Sequence, residues 1–280
     1  MIFATTLTKK LLGKKPPLLF TLGTALLLVG GGAIAYLNLA QHNQLGGDVP
    51  AAAKLVPQEA LMTLSVTTQE SQWNRIRQFG TPKTQLEFDQ LLLQWQDRLL
   101  TANGYRFKRD ITPWVGNEAT LVFLPQAGAA SETQAVMIVP IADPIKAQSL
   151  VSEPKDASVS WVGRDYKGIT VQSVKTATGE SLETAVLGTD WLVVSNDPTG
   201  IERVIDVHKG EVSLLEVSGY RQAMKSLPAA QNFARLYVNL PVATQAVGSD
   251  TPIQDAQGLA ATVSLTPNGM RFQGVNWLDP

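Results

Sequence analysis

Four lysines, Lys9, Lys10, Lys14 and Lys15, stand before a run from Pro16 to Gly47 that contains no Asp, Glu, Lys or Arg. The apolar part of that run, Leu18 to Leu39, would rise roughly 33 Å as an α-helix, enough to cross the hydrocarbon core of a bilayer. No acid occurs before Asp48. The lysines therefore keep the N-terminus in the cytoplasm, and everything after Gly47 is exported. The expected organisation is a basic cytoplasmic tail over 1–16, a transmembrane helix over 17–40 and a spacer over 41–54. Ala33-Ile34-Ala35 also fits a signal-peptidase site. The apolar run continues past it through Tyr36, Leu37 and Leu39, beyond the roughly 7–15 residues of a signal-peptide core, which favours an uncleaved anchor.

Composition bounds what the exported part can be. Residues 55–280 are enough for one large domain or two small ones. Hydrophobic residues make up 44% and charged residues 17%, a globular profile. The net charge of −1 hides an asymmetry, because four of the 23 basic residues lie in the tail and all 24 acids lie beyond it. The exported part thus carries 19 basic and 24 acidic residues, a net charge of −5. Such a surface is a poor match for nucleic acid and gives no electrostatic reason to lie on anionic lipid. Cysteine is absent, which excludes disulfides, thiol catalysis, thiolate metal sites and a lipid-modified cysteine.

Ala60 to Thr68 alternates as a half-buried strand. Trp73, Ile76 and Phe79 recur at helical spacing, and Thr81-Pro82 caps a second helix reaching to about Ala102. Asp110 to Gly116, DITPWVG, forms a compact turn around a buried Trp114. Strands are expected at 118–125, 133–141, 158–163 and 169–174, and over 182–196 as a hairpin turning at Gly188-Thr189-Asp190. Asp143-Pro144 and Asp197-Pro198 open helices at 144–153 and 198–208. A short helix at 218–226, a strand at 234–240 and a hairpin around Pro267-Asn268-Gly269 complete the chain. The fold class expected is α+β: mostly antiparallel sheet with helices packed on one face, behind a single N-terminal transmembrane helix.

Two segments echo each other without gaps: GNEATLVFLP (116–125) and GLAATVSLTP (258–267). Upstream, LSVTTQ (64–69) matches LPVATQ (240–245). Downstream, each ends in Asp-Pro, at Asp143-Pro144 and Asp279-Pro280. The shared order suggests a repeat unit over 55–210 and an incomplete second copy over 211–280, although the matches are short enough for chance. An incomplete copy would leave the last hairpin bare, exposing Phe272 and Trp277.

Catalytic signatures are missing. There is no G-x-S-x-G, H-E-x-x-H or phosphate-cradling glycine motif. His42 lies in the spacer, and His208 at a helix C-terminus complements the helix dipole. Asp110, Glu118, Asp143, Asp190 and Asp197 sit at element ends, where caps and turns account for them. No catalytic residue, metal ligand or cofactor is therefore expected. The candidate structural or interaction residues are Trp114, Gly116, Phe272 and Trp277.

The stretch from Trp73 to Leu100, followed by DITPWVGNEATLVFLP and later DWLVVSNDPTG, resembles a cyanobacterial family of membrane-anchored proteins catalogued as a domain of unknown function. The most specific element is D-I-x-P-W-x-G before a strand, and the likeness covers most of the chain after Leu55. Members have an N-terminal anchor and a longer exported region, which agrees with a shortened second copy here. The resemblance implies a plasma or thylakoid membrane, with the domain in the periplasm or lumen, and supplies no activity. The leading expectation is a non-enzymatic, membrane-tethered interaction or assembly module, bound to the bilayer by its helix and to a membrane or extracytoplasmic protein. The alternatives are an exported small-molecule-binding or sensory domain and, third, a hydrolase using paired carboxylates.

Overall fold

The computed structural model describes residues 49–99, 105–126, 133–151, 161–175, 181–217, 219–228, 232–246 and 256–278. The tail, the expected transmembrane helix and most of the spacer lie outside these residues. Among the described residues, no helix is long and apolar enough to cross a membrane.

Ten strands of the described residues form one antiparallel sheet: β1 (Met62–Thr67), β2 (Glu118–Pro125), β3 (Thr133–Pro140), β4 (Trp161–Tyr166), β5 (Ile169–Lys175), β6 (Ser181–Leu187), β7 (Trp191–Ser195), β8 (Asn232–Asn239), β9 (Ala256–Thr266) and β10 (Gly269–Leu278). Their order is β10-β9-β8-β1-β2-β3-β7-β6-β5-β4. Among the described residues, six α-helices accompany them: α1 (Glu70–Ile76), α2 (Pro82–Leu99), α3 (Pro144–Val151), α4 (Pro198–His208), α5 (Tyr220–Lys225) and α6 (Leu240–Ala246). The sequence signals placed most of these within a few residues. Asp197 caps α4 by accepting from Thr199 N at 2.8 Å. Gly80, at φ 90°, separates α1 from α2.

The helices cover both faces of the sheet, not the single face expected. Val122, Leu124, Val136, Ile138 and Val193 pack against Ile201, Val204 and Ile205 of α4 and Tyr220, Ala223 and Met224 of α5. Their neighbours Leu121, Phe123 and Ala135 point the other way, against Trp73 and Ile76 of α1 and Val242 and Ala243 of α6. Trp114 and Ala147 of α3 cover Val139, Leu192 and Val194 on that same side. The physical reason is legible in the strands: β2, β3 and β7 are near-continuous apolar runs, the pattern of strands buried on both faces.

Order also begins earlier than the spacer expected over 41–54. Ala51–Lys54 form a 3-10 turn, and Ala52 and Ala53 are buried in the core.

On either side of the β1–β8 pair, the third and fourth strands from one edge, the sheet has two similar arms. One is β1-α1-β2-β3 and the other is β8-α6-β9-β10. Ser65 pairs with Arg235 near the centre of the antiparallel ladder. The echoing segments GNEATLVFLP and GLAATVSLTP occupy β2 and β9, and their threonines, Thr120 and Thr262, are both buried. The upstream match fails structurally: LSVTTQ lies mainly in β1, whereas LPVATQ forms α6. The counterpart of β1 is β8.

Tyr220 and Tyr237 meet edge to face at 4.7 Å between ring centroids. Burial pushes the Tyr237 hydroxyl up to about 12 and raises Tyr220 further. An unfolded tyrosine ionises near 10, so alkali favours the unfolded chain. Stability is present in full below about pH 10 and is lost as pH rises through about 12. Urea unfolding across this interval is expected to show a falling midpoint, with a smaller fall in Tyr237→Phe.

Candidate interaction site

The four residues singled out from sequence do not form one site. Trp114 is 2% exposed, and its Nε1 donates to Asp110 O at 2.6 Å. The Asp110 carboxylate accepts from Arg106 N at 2.7 Å and from Arg109 Nε at 2.9 Å. Gly116 N donates to Pro140 O at 2.8 Å, and a Cβ at Gly116 would stand 2.8 Å from Pro140 Cγ. Thr68 Oγ1 donates to Gly116 O. The DITPWVG segment therefore ties the ends of β1, β2 and β3 together, and Trp114 and Gly116 serve packing.

Trp277 is not on a bare surface either. It packs against the α4-side core, and Gly219, at φ 79°, lies so close that a Cβ there would stand 2.0 Å from Trp277 Cδ1. Cross-strand pairing explains the contrast with Phe272. Trp277 pairs with Gly258 and shares the face of Val275 and Ala260, whereas Phe272 pairs with Val263 on the α1 side. Phe272 is half-buried, as Trp277 is, and Met270, two residues from Phe272 on the same face, is 37% exposed. The exposure expected for Phe272 and Trp277 is found at neither: both are half-buried, and Met270 is the exposed apolar residue of the hairpin.

What sequence reading missed is the position of β10 in the sheet. It closes one end, and among the described residues no strand pairs with its outer side. It is ten residues long, contains no proline and carries a single charge, Arg271. The opposite edge, β4, is six residues long and carries both Arg164 and Asp165. Edges are ordinarily blunted by shortness, charge or proline; β10 has little of this protection. The hairpin was readable, but its place in the strand order depends on pairing between β1 and β8, far apart in the chain. A second apolar feature lies on α2, where Leu86 and Leu93, two turns apart, are 59% and 62% exposed.

The carboxylates considered for acid–base work have structural partners. Glu118 pairs with Arg235, and Asp143 accepts from Lys146 N at 3.2 Å and Lys146 Nζ at 2.8 Å. Those bonds hold the Asp143 carboxyl below its ordinary range. Asp197 caps α4, and Thr189 Oγ1 donates to Asp190 at 2.9 Å. His208 ends α4, as expected. His42 lies outside the described residues. Among the described residues, no cluster of three or more His, Asp or Glu is arranged to hold a metal ion.

No curated protein matches the chain. Two crystal forms of TP0453 overlay on it. Form I has a TM-score of 0.42 and 11% identity, covering 82% of this chain and 79% of that one. Form III has a TM-score of 0.40 and 10% identity, covering 80% and 78%. Likenesses this distant bear on neither mechanism nor role. A family model matches residues 21–280, from within the apolar N-terminal run to the last residue, and the chain belongs to that family, described as Protein of unknown function (DUF3352).

Proposed function

We propose that the chain is a membrane-tethered, extracytoplasmic interaction module that works without catalysis and docks a partner protein along the β10 edge. The helix expected over 17–40 holds it at a cyanobacterial plasma or thylakoid membrane, with the sheet domain in the periplasm or lumen. The observation that carries the docking reading is β10 itself, a long edge strand with one charge and an exposed methionine, Met270, beside the half-buried Phe272. The chain contains its own precedent. In the other arm of the sheet, β3 holds the corresponding place, and its outer side receives the antiparallel strand β7. We read the two arms as copies of one unit, so that the outer side of β10 offers an antiparallel strand what the outer side of β3 offers β7. The occupant is an extended segment of another protein. It would take its main-chain hydrogen bonds from β10 and rest apolar side chains on Met270 and Phe272.

The test compares the wild-type chain with the Met270→Lys, Phe272→Lys double variant, both tagged and recovered from cross-linked intact membranes. Wild type should yield the same partner reproducibly, and the variant about a tenth as much or less. Circular dichroism checks that the variant remains folded. Failure of wild type to recover a reproducible partner would sink the reading, as would equal recovery by a folded variant.

A further inference from the structure

Helix α2 carries apolar residues on two sides. Phe88 stacks on Trp73 of α1 at 6.3 Å between ring centroids, and Asp89 takes an ion pair from Arg77 Nε at 2.9 Å. With Gln85 and Leu92 these residues make the half-buried side of the helix. Lys83, Leu86, Gln90 and Leu93 occupy the other side, and all four are exposed. Their spacing of three, four and three residues sets them in one stripe along the helix. The next position of that stripe, four residues on, is Asp97. A helix that buries one apolar face ordinarily turns polar residues outward. Here Leu86 and Leu93 stand outward, 59% and 62% exposed. Lys83 has only Glu87 near it, at 4.0 Å.

The stripe is complementary to itself when reversed. A two-fold axis level with Gln90 sets two α2 helices antiparallel. Each Leu86 then lies beside Leu93 of the partner subunit, and each Lys83 lies level with Asp97 of the partner subunit. In a parallel pair the leucines would still meet, but Lys83 would stand against Lys83 of the partner subunit, like charge on like. One patch meeting its own copy is the commonest form of protein dimer contact. A bilayer surface is a poorer occupant. Helices that lie on lipid are rich in lysine and arginine along their polar side, whereas α2 sets Glu87, Asp89 and Asp97 against Lys83 and Arg98.

We propose that the chain self-associates through α2, as an antiparallel helix pair centred on Gln90. Two leucine pairs bury little area, so the association is weak and reversible, and a covalent trap is the suitable probe. The contact stands independently of the β10 reading, since it uses neither β10 nor an extended segment.

The chain has no cysteine, so an introduced thiol reports contacts without background. The full chain carrying Gln90→Cys, concentrated in mild detergent with a mild oxidant, should become mostly disulfide-linked dimer. Under the same conditions Lys83→Cys should yield about a tenth as much or less, because the two copies of that position stand roughly 21 Å apart along the helix axes and a disulfide spans only about 7 Å between Cα atoms. Adding Leu86→Asp and Leu93→Asp to Gln90→Cys should cut the dimer about tenfold or more, since each aspartate puts a charge into the apolar contact. Circular dichroism checks that this variant remains folded. Adding Met270→Lys and Phe272→Lys instead should leave the dimer unchanged. Absence of dimer from Gln90→Cys overturns the proposal, as does an equal yield from Lys83→Cys, the mark of random collision or a parallel pair. So does a dimer that persists in the folded double-aspartate variant, or one lost with the β10 substitutions.

Discussion

Gly219→Ala is expected to destabilise the chain by roughly 2–5 kcal/mol, from two costs that add. The first is backbone strain. Gly219 sits at φ 79°, where a residue with a Cβ loses about 1–2 kcal/mol. The second is collision: the new Cβ would stand 2.0 Å from Trp277 Cδ1 and 2.2 Å from Nε1. The indole must move, and forcing extra volume into a packed site costs about 1–3 kcal/mol. Gly168→Ala separates the two. Its φ of 76° is similar and nothing lies within 4 Å of the Cβ position, so it should show the backbone cost alone. Urea unfolding measures both variants, and tryptophan fluorescence quenching reports whether the indole has become accessible. Equal losses in the two variants would mean that Trp277 moves at no cost.

Trp114→Ala should cost about 3–5 kcal/mol, the range for removing a large aromatic side chain from a core. Trp114 is almost fully buried among Ile111, Val139, Ile141 and Ala147, and its loss leaves Asp110 O without the indole donor at 2.6 Å. Trp114→Phe keeps an aromatic ring but removes the donor together with part of the indole's volume. It should lose a smaller part, about 1–3 kcal/mol, the cost of an unpaired buried acceptor. Both losses are measured by urea unfolding at neutral pH. If Phe is tolerated without loss, the DITPWVG turn is held by the ring's volume and not by the hydrogen bond.

The two residues show how differently their roles could be read. Trp114 was legible as buried because the motif around it is local: a turn that folds on itself within a few residues. Local signals elsewhere were equally readable. Asp197-Pro198 opens α4 by a side-chain cap, and Pro267-Asn268 turns β9 into β10. The role of Trp277 was not legible, because the glycine it packs against is remote in the chain. Phe272 and Trp277 stood together in the sequence reading as exposed apolar residues, and the pleat assigns them to opposite faces. Four matching letters in six also misled: LSVTTQ runs through a strand and LPVATQ makes a helix, since so short a segment takes its conformation from what it packs against.

Coverage of the sheet on both faces had a signal that alternation-based reading passed over. The runs TLVFL, AVMIV and WLVV in β2, β3 and β7 show little alternation, because both of their faces are buried. The short outer strand β4 is less buried and carries charge, as a strand near solvent does.

By itself, the sequence determined the existence and kind of nearly every element, the antiparallel character of the sheet and the scarcity of catalytic signatures. These depend on interactions between residues close in the chain: caps, turn residues and side-chain period. The tertiary structure alone decided which strands neighbour which, and the sites follow from that. The β10 edge stands where it does because β8 pairs with β1, far away in the chain, and carries β9 and β10 with it. Long-range pairing is chosen by the global fit of two buried faces, and no short window of residues records that choice.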